Sequence, residues 1–307
     1  MQSYDVIIIG AGPAGLTAAL YSARSKLSTL YLDTLGAGGQ VAVTDEIENY
    51  PGFTNGISGF DLSVKMEEQA LRFGANSLLA NVLGIELADP YRIVKTSKGI
   101  FSGKIIIIAT GATPKTLNCP GELTFRTRGV SYCATCDGPF YEGSDIIVVG
   151  GGNSAVEEAC YLTRFAHKVS VVHRRDALRA TKIIQDRALA NPKLEFIWNT
   201  VIDEIQGEDS VKKVILRNLL TAQLMEMPID GIFIYVGNEP NTSFVKNLLQ
   251  LTEDGYIQTD DFMRTNIPGI YAVGDVRQKL LRQVVTAVSD GAIAAYHGEK
   301  YIEEHFK

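Results

Sequence analysis

Tryptophan occurs once in this chain of 307 residues, and histidine and cysteine occur four times each. Each scarcity excludes something. A membrane-spanning helix needs about 18–20 consecutive apolar residues, and no run here approaches that length. Lysine and arginine number 29 against 35 acidic residues, a net charge of −6. The concentrated basic surface that phosphate-backbone binding requires is therefore missing, and nucleic acid is not expected as a partner. Met1 to Asp5 lacks a basic n-region and leads into a strand pattern, so no signal peptide is expected and the chain reads as cytoplasmic. Cys119 and Cys160 stand alone, and His167, His173, His297 and His305 form no ligand-spaced couple with the thiols, so a zinc site is not expected.

What remains of the cysteine content is one close pair, Cys133-Ala-Thr-Cys136, followed by Asp137. A chance CxxC arises in about 4% of chains with this many cysteines. In a reducing compartment a purely structural disulfide is disfavoured, so the pair reads as a redox dithiol. Thiolate is the reactive form, and a helix start beneath a CxxC lowers the thiol pKa. Asp137 is placed to give and take the proton of a leaving thiolate, although an aspartate there could also cap a helix. Cys119 reads as an inert loop thiol and Cys160 as core.

Glycine is plentiful, at 29 residues, and 46% of the chain is hydrophobic, enough for two domains with sizeable cores. Two of the glycine clusters are copies of each other. Gly10, Gly12 and Gly15 recur as Gly150, Gly152 and Ala155, a constant offset of 140 residues. Each cluster follows a β-branched run and opens a helical pattern, from Leu16 to Ala23 and from Val156 to Thr163. The first glycine lets the chain turn, the second lets the backbone approach a pyrophosphate, and a small third residue lets helix and strand pack closely. The helix start then offers free N–H groups to the phosphates. A lone GxGxxG arises by chance in about one such chain in four, but two at a fixed offset do not.

The copies differ where the ribose would sit. The first has Asp33 after its second strand, and a carboxylate there accepts bonds from ribose hydroxyls. At the same offset the second has His173-Arg174-Arg175, with Arg179 beyond. Guanidiniums bind a 2′-phosphate that a carboxylate would repel, so the second site suits NADPH and the first an adenine dinucleotide without that phosphate. Ile105 to Pro114, containing Ala109 and Gly111, has a counterpart in Gly231 to Pro240. After it come a hairpin-like segment at Gly255, a strand pattern ending at Gly274-Asp275, and a helical pattern from about Arg282. The expected fold is therefore α/β, with two Rossmann-like dinucleotide-binding domains, one inserted into the other. Residues 1–115 and 245–307 form the outer domain and 116–244 the inserted one, with Pro114–Thr116 and Asn241–Lys246 as connecting segments.

With these motifs in order, the chain resembles the low-molecular-weight thioredoxin reductases along essentially its whole length. The resemblance rests on Gly10 to Gly15, Gly38-Gly39-Gln40, Glu48 to Gly52, Ala109 to Gly111, Cys133 to Asp137, Gly150 to Ala155, His173 to Arg179, and Gly274 to Val276 with Arg282-Gln283. It implies FAD in the outer domain, NADPH in the inserted one, a redox-active disulfide bond, a thioredoxin-like substrate and a homodimer. By the same resemblance, Gly10, Gly12, Pro13, Ala14 and Gly15 would hold the FAD pyrophosphate and Asp33 the adenosine ribose. Gly39, Gln40 and Asn49 would lie along the ribityl and flavin region and Val82 near the adenine, and Ala109 and Gly111 would also bind the cofactor. Gly274 and Asp275 would bind the ribityl chain, and Arg282, Gln283 and Val284 would present a helix start to the flavin. In the inserted domain, Gly152, Asn153, Ser154, His173, Arg174, Arg175 and Arg179 would hold NADPH. Cys136 would face the flavin and Cys133 attack the partner disulfide, the inserted domain rotating between the two tasks. Three other readings remain: a relative fed by another donor such as ferredoxin, which should lack the second glycine motif or its arginines, a flavoprotein with an additional disulfide domain serving a peroxidase, and a flavin redox sensor.

Overall fold

The computed structural model describes residues 1–44 and 46–306, and the chain divides into two compact units, Met1–Thr113 with Glu239–Lys307 and Pro114–Asn238. In the first unit β1 (Gln2–Ile9) leads through a glycine turn into α1 (Pro13–Arg24), β2 (Thr29–Asp33), α2 (Gly59–Arg72) and β3 (Asn76–Leu79). A hairpin, β4 (Val82–Ala88) and β5 (Tyr91–Thr96), precedes the long β6 (Gly99–Ile108) and the short β7 (Ala112–Pro114). The second unit contains β8 (Val130–Ser131), the single-turn α3 (Ala134–Asp137), β9 (Asp145–Val149), α4 (Asn153–Leu162), β10 (Lys168–Val172), α5 (Lys182–Leu189) and β11 (Leu194–Ile197). It continues with β12 (Thr200–Gly207), β13 (Val211–Asn218), β14 (Leu224–Pro228) and β15 (Gly231–Ile234). The chain returns through β16 (Asn238–Pro240) to β17 (Ile270–Ala272) and α6 (Val284–His305).

In the first unit β3, β2, β1, β6 and β17 run parallel. The uninterrupted apolar runs Val6–Ile9 and Ile105–Ile108 are buried, as expected for strands covered on both faces. The first residues of β6 pair antiparallel with β5, while Ile106–Ile108 pair parallel with β17. α1 crosses α6 at Gly291, where a Cβ would overlap the carbonyl of Ala14. In the second unit the parallel order is β11-β10-β9-β15-β8, and β12-β13-β14 form a separate antiparallel sheet.

β7 and β16 pair as a two-stranded ribbon at the two crossings between units. Residues 239–244, which the sequence reading placed in the inserted domain, lie in the first unit. The reason is local. Asn241 donates its side-chain amide to the carbonyl of Thr110 (2.8 Å) and its backbone N–H to that of Gly111 (3.0 Å), so the returning chain is tied to the end of β6. α6 begins at Val284 because Gln283 and Thr286 form a reciprocal capping box. No helix among the described residues is long and apolar enough to cross a membrane.

Candidate functional site

Most of the residues singled out by sequence gather at the carboxyl ends of the two parallel sheets, where ligands of open α/β folds bind. In the first unit Gly10 follows β1, Asp33 ends β2, Ala109 and Gly111 follow β6, and Gly274 and Asp275 follow β17. Gly10 has φ +109°, and a Cβ on it would overlap the carbonyl of Ala109. A Cβ on Gly15 would overlap the carbonyl of Gly10, so strand and helix meet at backbone contact, while a Cβ on Gly12 would meet only the carbonyl of Gly38, at 4.0 Å. Pro13 and Ala14 are the first helical residues, and no side chain caps this end.

Asp33 accepts hydrogen bonds from the N–H groups of Ala11 (2.8 Å), Leu35 (2.9 Å) and Gly36 (3.2 Å). Its carboxylate thus stiffens the glycine turn and retains lone pairs for a diol. Gly38 donates its N–H to the carbonyl of Ala11 (2.7 Å), which lays Gly39 beside Gly12, with Gln40 following it. Ala80 donates to the carbonyl of Asp33 (2.8 Å), which places Val82 just beyond the tip of β2. Asn49 donates to the side-chain oxygen of Gln283 (3.1 Å), joining the Glu48–Gly52 turn to the start of α6, where Arg282 and Val284 flank the cap.

Two polar atoms in this edge are buried without a hydrogen-bond partner among the described residues: Oδ1 of Asp275 and Nε of Arg282. Burial first, with Asp290 adding to it, pushes the Asp275 carboxyl above the ordinary carboxylate range, against the pull of Lys279 and Arg282. Unmet buried polar groups beside an open glycine turn are what a polar ligand would satisfy, so these residues fit a dinucleotide. Asp290 was not found by sequence. It lies on the buried face of α6, and its Oδ2 accepts from Gly274 N–H (3.0 Å), Lys279 Nζ (2.8 Å) and Arg277 Nη1 (3.4 Å). A lone acid in the small-residue run Ala287 to Ala295 was the available signal.

The second unit repeats the arrangement with different chemistry. Gly150 follows β9 with φ +149°, Gly152 faces open space, and no side chain caps α4. Asn153 accepts the N–H of Thr181 (2.8 Å), tying the start of α4 to that of α5, and Ser154 is exposed beside it. His173 departs from the basic stripe expected of it. It is 4% exposed, its ring fills the space that a Cβ on Gly151 would need, and its Nε2 has no partner among the described residues. Burial, and then the charges of Arg179 and Arg175, hold its pKa below the ordinary value. Arg174, Arg175 and Arg179 are exposed around it, and none forms an ion pair among the described residues.

The dithiol stands on the same carboxyl edge, after β8. Cys133 and Cys136 form a disulfide with Cα atoms 5.3 Å apart. α3 is one turn long, so its dipole gives a Cys133 thiolate less support than the helix start expected from sequence. Side chains dominate instead. Ser131 Oγ accepts the N–H of Cys133 (3.1 Å) and lies 2.5 Å from Asp137 Oδ2, while Tyr235 Oη accepts the N–H of Ala134 (2.5 Å). Neither Ser131 nor Tyr235 was singled out by sequence, since neither belongs to a recognisable spacing. Burial, then Glu122, pushes the Cys119 thiol up to about 11, which makes it unreactive near neutrality.

Two glycine turns and a disulfide on the carboxyl edges of parallel sheets define a recognisable combination. Residues 4–291 match the family described as pyridine nucleotide-disulphide oxidoreductase. The chain belongs to that family. Among similar proteins, the thioredoxin reductase of Peptoclostridium litorale is 49% identical over 309 residues, covering 99% of this chain and 98% of that one. The Bacillus subtilis thioredoxin reductase is 49% identical over 302 residues, 98% of this chain and 95% of its own. The crystal structure of thioredoxin reductase from Streptococcus pyogenes superposes with a TM-score of 0.95 at 52% identity, covering 98% of this chain and 99% of that one. A pyridine nucleotide-disulphide oxidoreductase works with a flavin and a pyridine nucleotide, and the Cys133–Cys136 disulfide fits its redox-active centre.

Proposed function

We propose that this chain is a thioredoxin reductase in which electrons from NADPH pass by way of FAD to the Cys133–Cys136 disulfide and then to a thioredoxin-like protein disulfide. The observation that carries the reading is the bonded Cys133–Cys136 pair on the same sheet edge as the second glycine turn. Gly10 to Gly15, Asp33, Gly39, Gln40, Asn49, Val82, Ala109, Gly111, Gly274, Asp275 and Arg282 to Val284 would hold FAD in the first unit. Gly152, Asn153, Ser154, Arg174, Arg175 and Arg179 would hold NADPH in the second, with His173 buried behind the Gly151 turn. Three exposed guanidiniums at the end of β10 favour the 2′-phosphate form and weigh against a ferredoxin-fed relative. Bound FAD supplies two-electron chemistry between a nicotinamide and a disulfide.

The residues then have distinct tasks. Reduction of the Cys133–Cys136 bond takes two electrons and two protons and yields two thiols. Asp137 takes the proton of Cys133, whose thiolate attacks the partner disulfide; a mixed disulfide forms and one partner thiolate leaves, accepting the proton held at Asp137. Cys136 displaces the second partner sulfur as a thiolate, its own proton going to that sulfur. The Cys133–Cys136 bond re-forms, and the partner leaves with two thiols. A homodimer and a cytoplasmic, NADPH-supplied setting complete the proposal.

Anaerobic titration with NADPH followed by oxidised thioredoxin tests the route. Bleaching of the absorbance near about 450 nm and its recovery on adding thioredoxin are expected. Bleaching without recovery would sink the proposed partner. Asp137→Asn should keep FAD and its reduction by NADPH while slowing turnover about 10²-fold or more; unchanged turnover would remove Asp137 from the mechanism.

A further inference from the structure

We propose that Ser131 is a positioning residue for exchange at Cys133–Cys136, acting through Asp137; the inference rests on the oxidoreductase reading above. Ser131 ends β8, is 4% exposed, and is fixed in register opposite Phe233 of β15. Its Oγ has three polar neighbours: Cys133 N–H at 3.1 Å, Asp137 Oδ2 at 2.5 Å and the Cys133 carbonyl at 3.4 Å. A hydroxyl carries a single hydrogen, and a carboxylate is both the nearer and the stronger acceptor. Ser131 therefore donates to Asp137 and accepts from Cys133, forming a two-bond bridge from the backbone of the attacking cysteine to the group that handles its proton.

α3 is too short for a substantial dipole, and its first N–H, that of Ala134, is taken by Tyr235. Tyr141 and Tyr235 are titratable groups that face Asp137, and Glu158 on α4 faces Tyr235. Burial pushes both phenols up, Tyr141 to about 12, so both stay neutral through the working range, and burial also pushes the Glu158 carboxyl up. A bond donated to a carboxylate favours its charged form. Ser131 thus holds the Asp137 carboxylate against the Cys133 turn, without touching either sulfur's reacting partner.

The test is a double-mutant cycle on the holoenzyme: wild type, Ser131→Ala, Asp137→Asn and the double variant, with Ser131→Thr as the conservative control. NADPH oxidation is followed against pH with oxidised thioredoxin and, separately, with a small aromatic disulfide. Ser131→Ala should lower kcat about tenfold, leave the KM for NADPH unchanged and move the acid limb of the profile up by about one pH unit, since losing the donor raises the carboxyl pKa. Ser131→Thr should restore both, and the double variant should be no slower than Asp137→Asn alone. Losses that multiply in the double variant, or an acid limb that stays put in Ser131→Ala, would overturn the inference. Wild-type protein that turns over the small disulfide but not thioredoxin would refute the partner proposed above, while the cycle would still decide on Ser131.

Discussion

Replacing Asp290 by leucine strips the carboxyl edge of the first unit of its internal anchor. Asp290 and Lys279 are side chains exposed by only 8% and 7%, and Arg277 beside them by 13%. Removing one partner from a buried ion pair costs about 3–5 kcal/mol, because the other charge is left in low dielectric. The buried carboxyl of Asp275 remains near Lys279 and offsets part of this, so the low end, about 3 kcal/mol, is the working figure. Against a total stability of about 5–15 kcal/mol that is a large fraction. With a urea slope of about 2–3 kcal/mol per molar, the transition of the first unit should fall by about 1–1.5 M. The chain allows the two units to be told apart, because its single tryptophan, Trp198, lies in the second. Circular dichroism should therefore show an early component in Asp290→Leu while Trp198 fluorescence unfolds at its usual denaturant concentration. Adding Lys279→Met should recover part of the loss, leaving about 1–3 kcal/mol for the unmet Gly274 N–H. If Asp290→Leu left both transitions in place, the anchoring argument would be refuted.

Two further outcomes concern the second unit. Because the folded pKa of His173 lies below its ordinary value of 6.5, neutral imidazole stabilises the fold. That contribution is fully present above about pH 6.5 and is lost as pH falls through the lower folded value. The urea midpoint read by Trp198, whose ring lies 6.5 Å from His173, should drop on acidification below that point and drop less in His173→Gln; parallel pH profiles would disprove the link. Arg175→Ala should raise the KM for NADPH about 10–100-fold through a lost charge-assisted bond and leave the KM for NADH unchanged. Equal changes for both nucleotides would mean that the guanidinium does not read the 2′-phosphate.

The parts legible in sequence were those encoded by short spacing. The repeated glycine turns, the arginines after β10 and the dithiol each announce themselves within a few residues, and the structure brings them to the carboxyl ends of parallel strands. Position 173 shows where that kind of reading runs out. Next to two arginines a histidine looks like part of a basic stripe, yet it is buried, because Gly151 leaves a space that only its ring fills. The crossing into the first unit came earlier than pattern suggested, since the ties of Asn241 to Thr110 and Gly111 span 130 residues of chain and leave no local trace. Ser131, Tyr235 and Asp290 were missed for the same reason: their partners are set by tertiary contact. The antiparallel run β12-β13-β14 repeats β4, β5 and the first residues of β6, a part of the repeat that no short motif marks.

Tyr235 has neighbours at both ends. Its carbonyl lies so close to Gly150 that no Cβ fits there, and its hydroxyl holds Ala134 at the mouth of the disulfide. Tyr235, with its backbone at one end and its phenol at the other, thus acts as a strut between the glycine turn and the sulfur turn. A strut keeps apart as well as together. Because both turns lean on the same residue, a change at position 235 would disturb the two together.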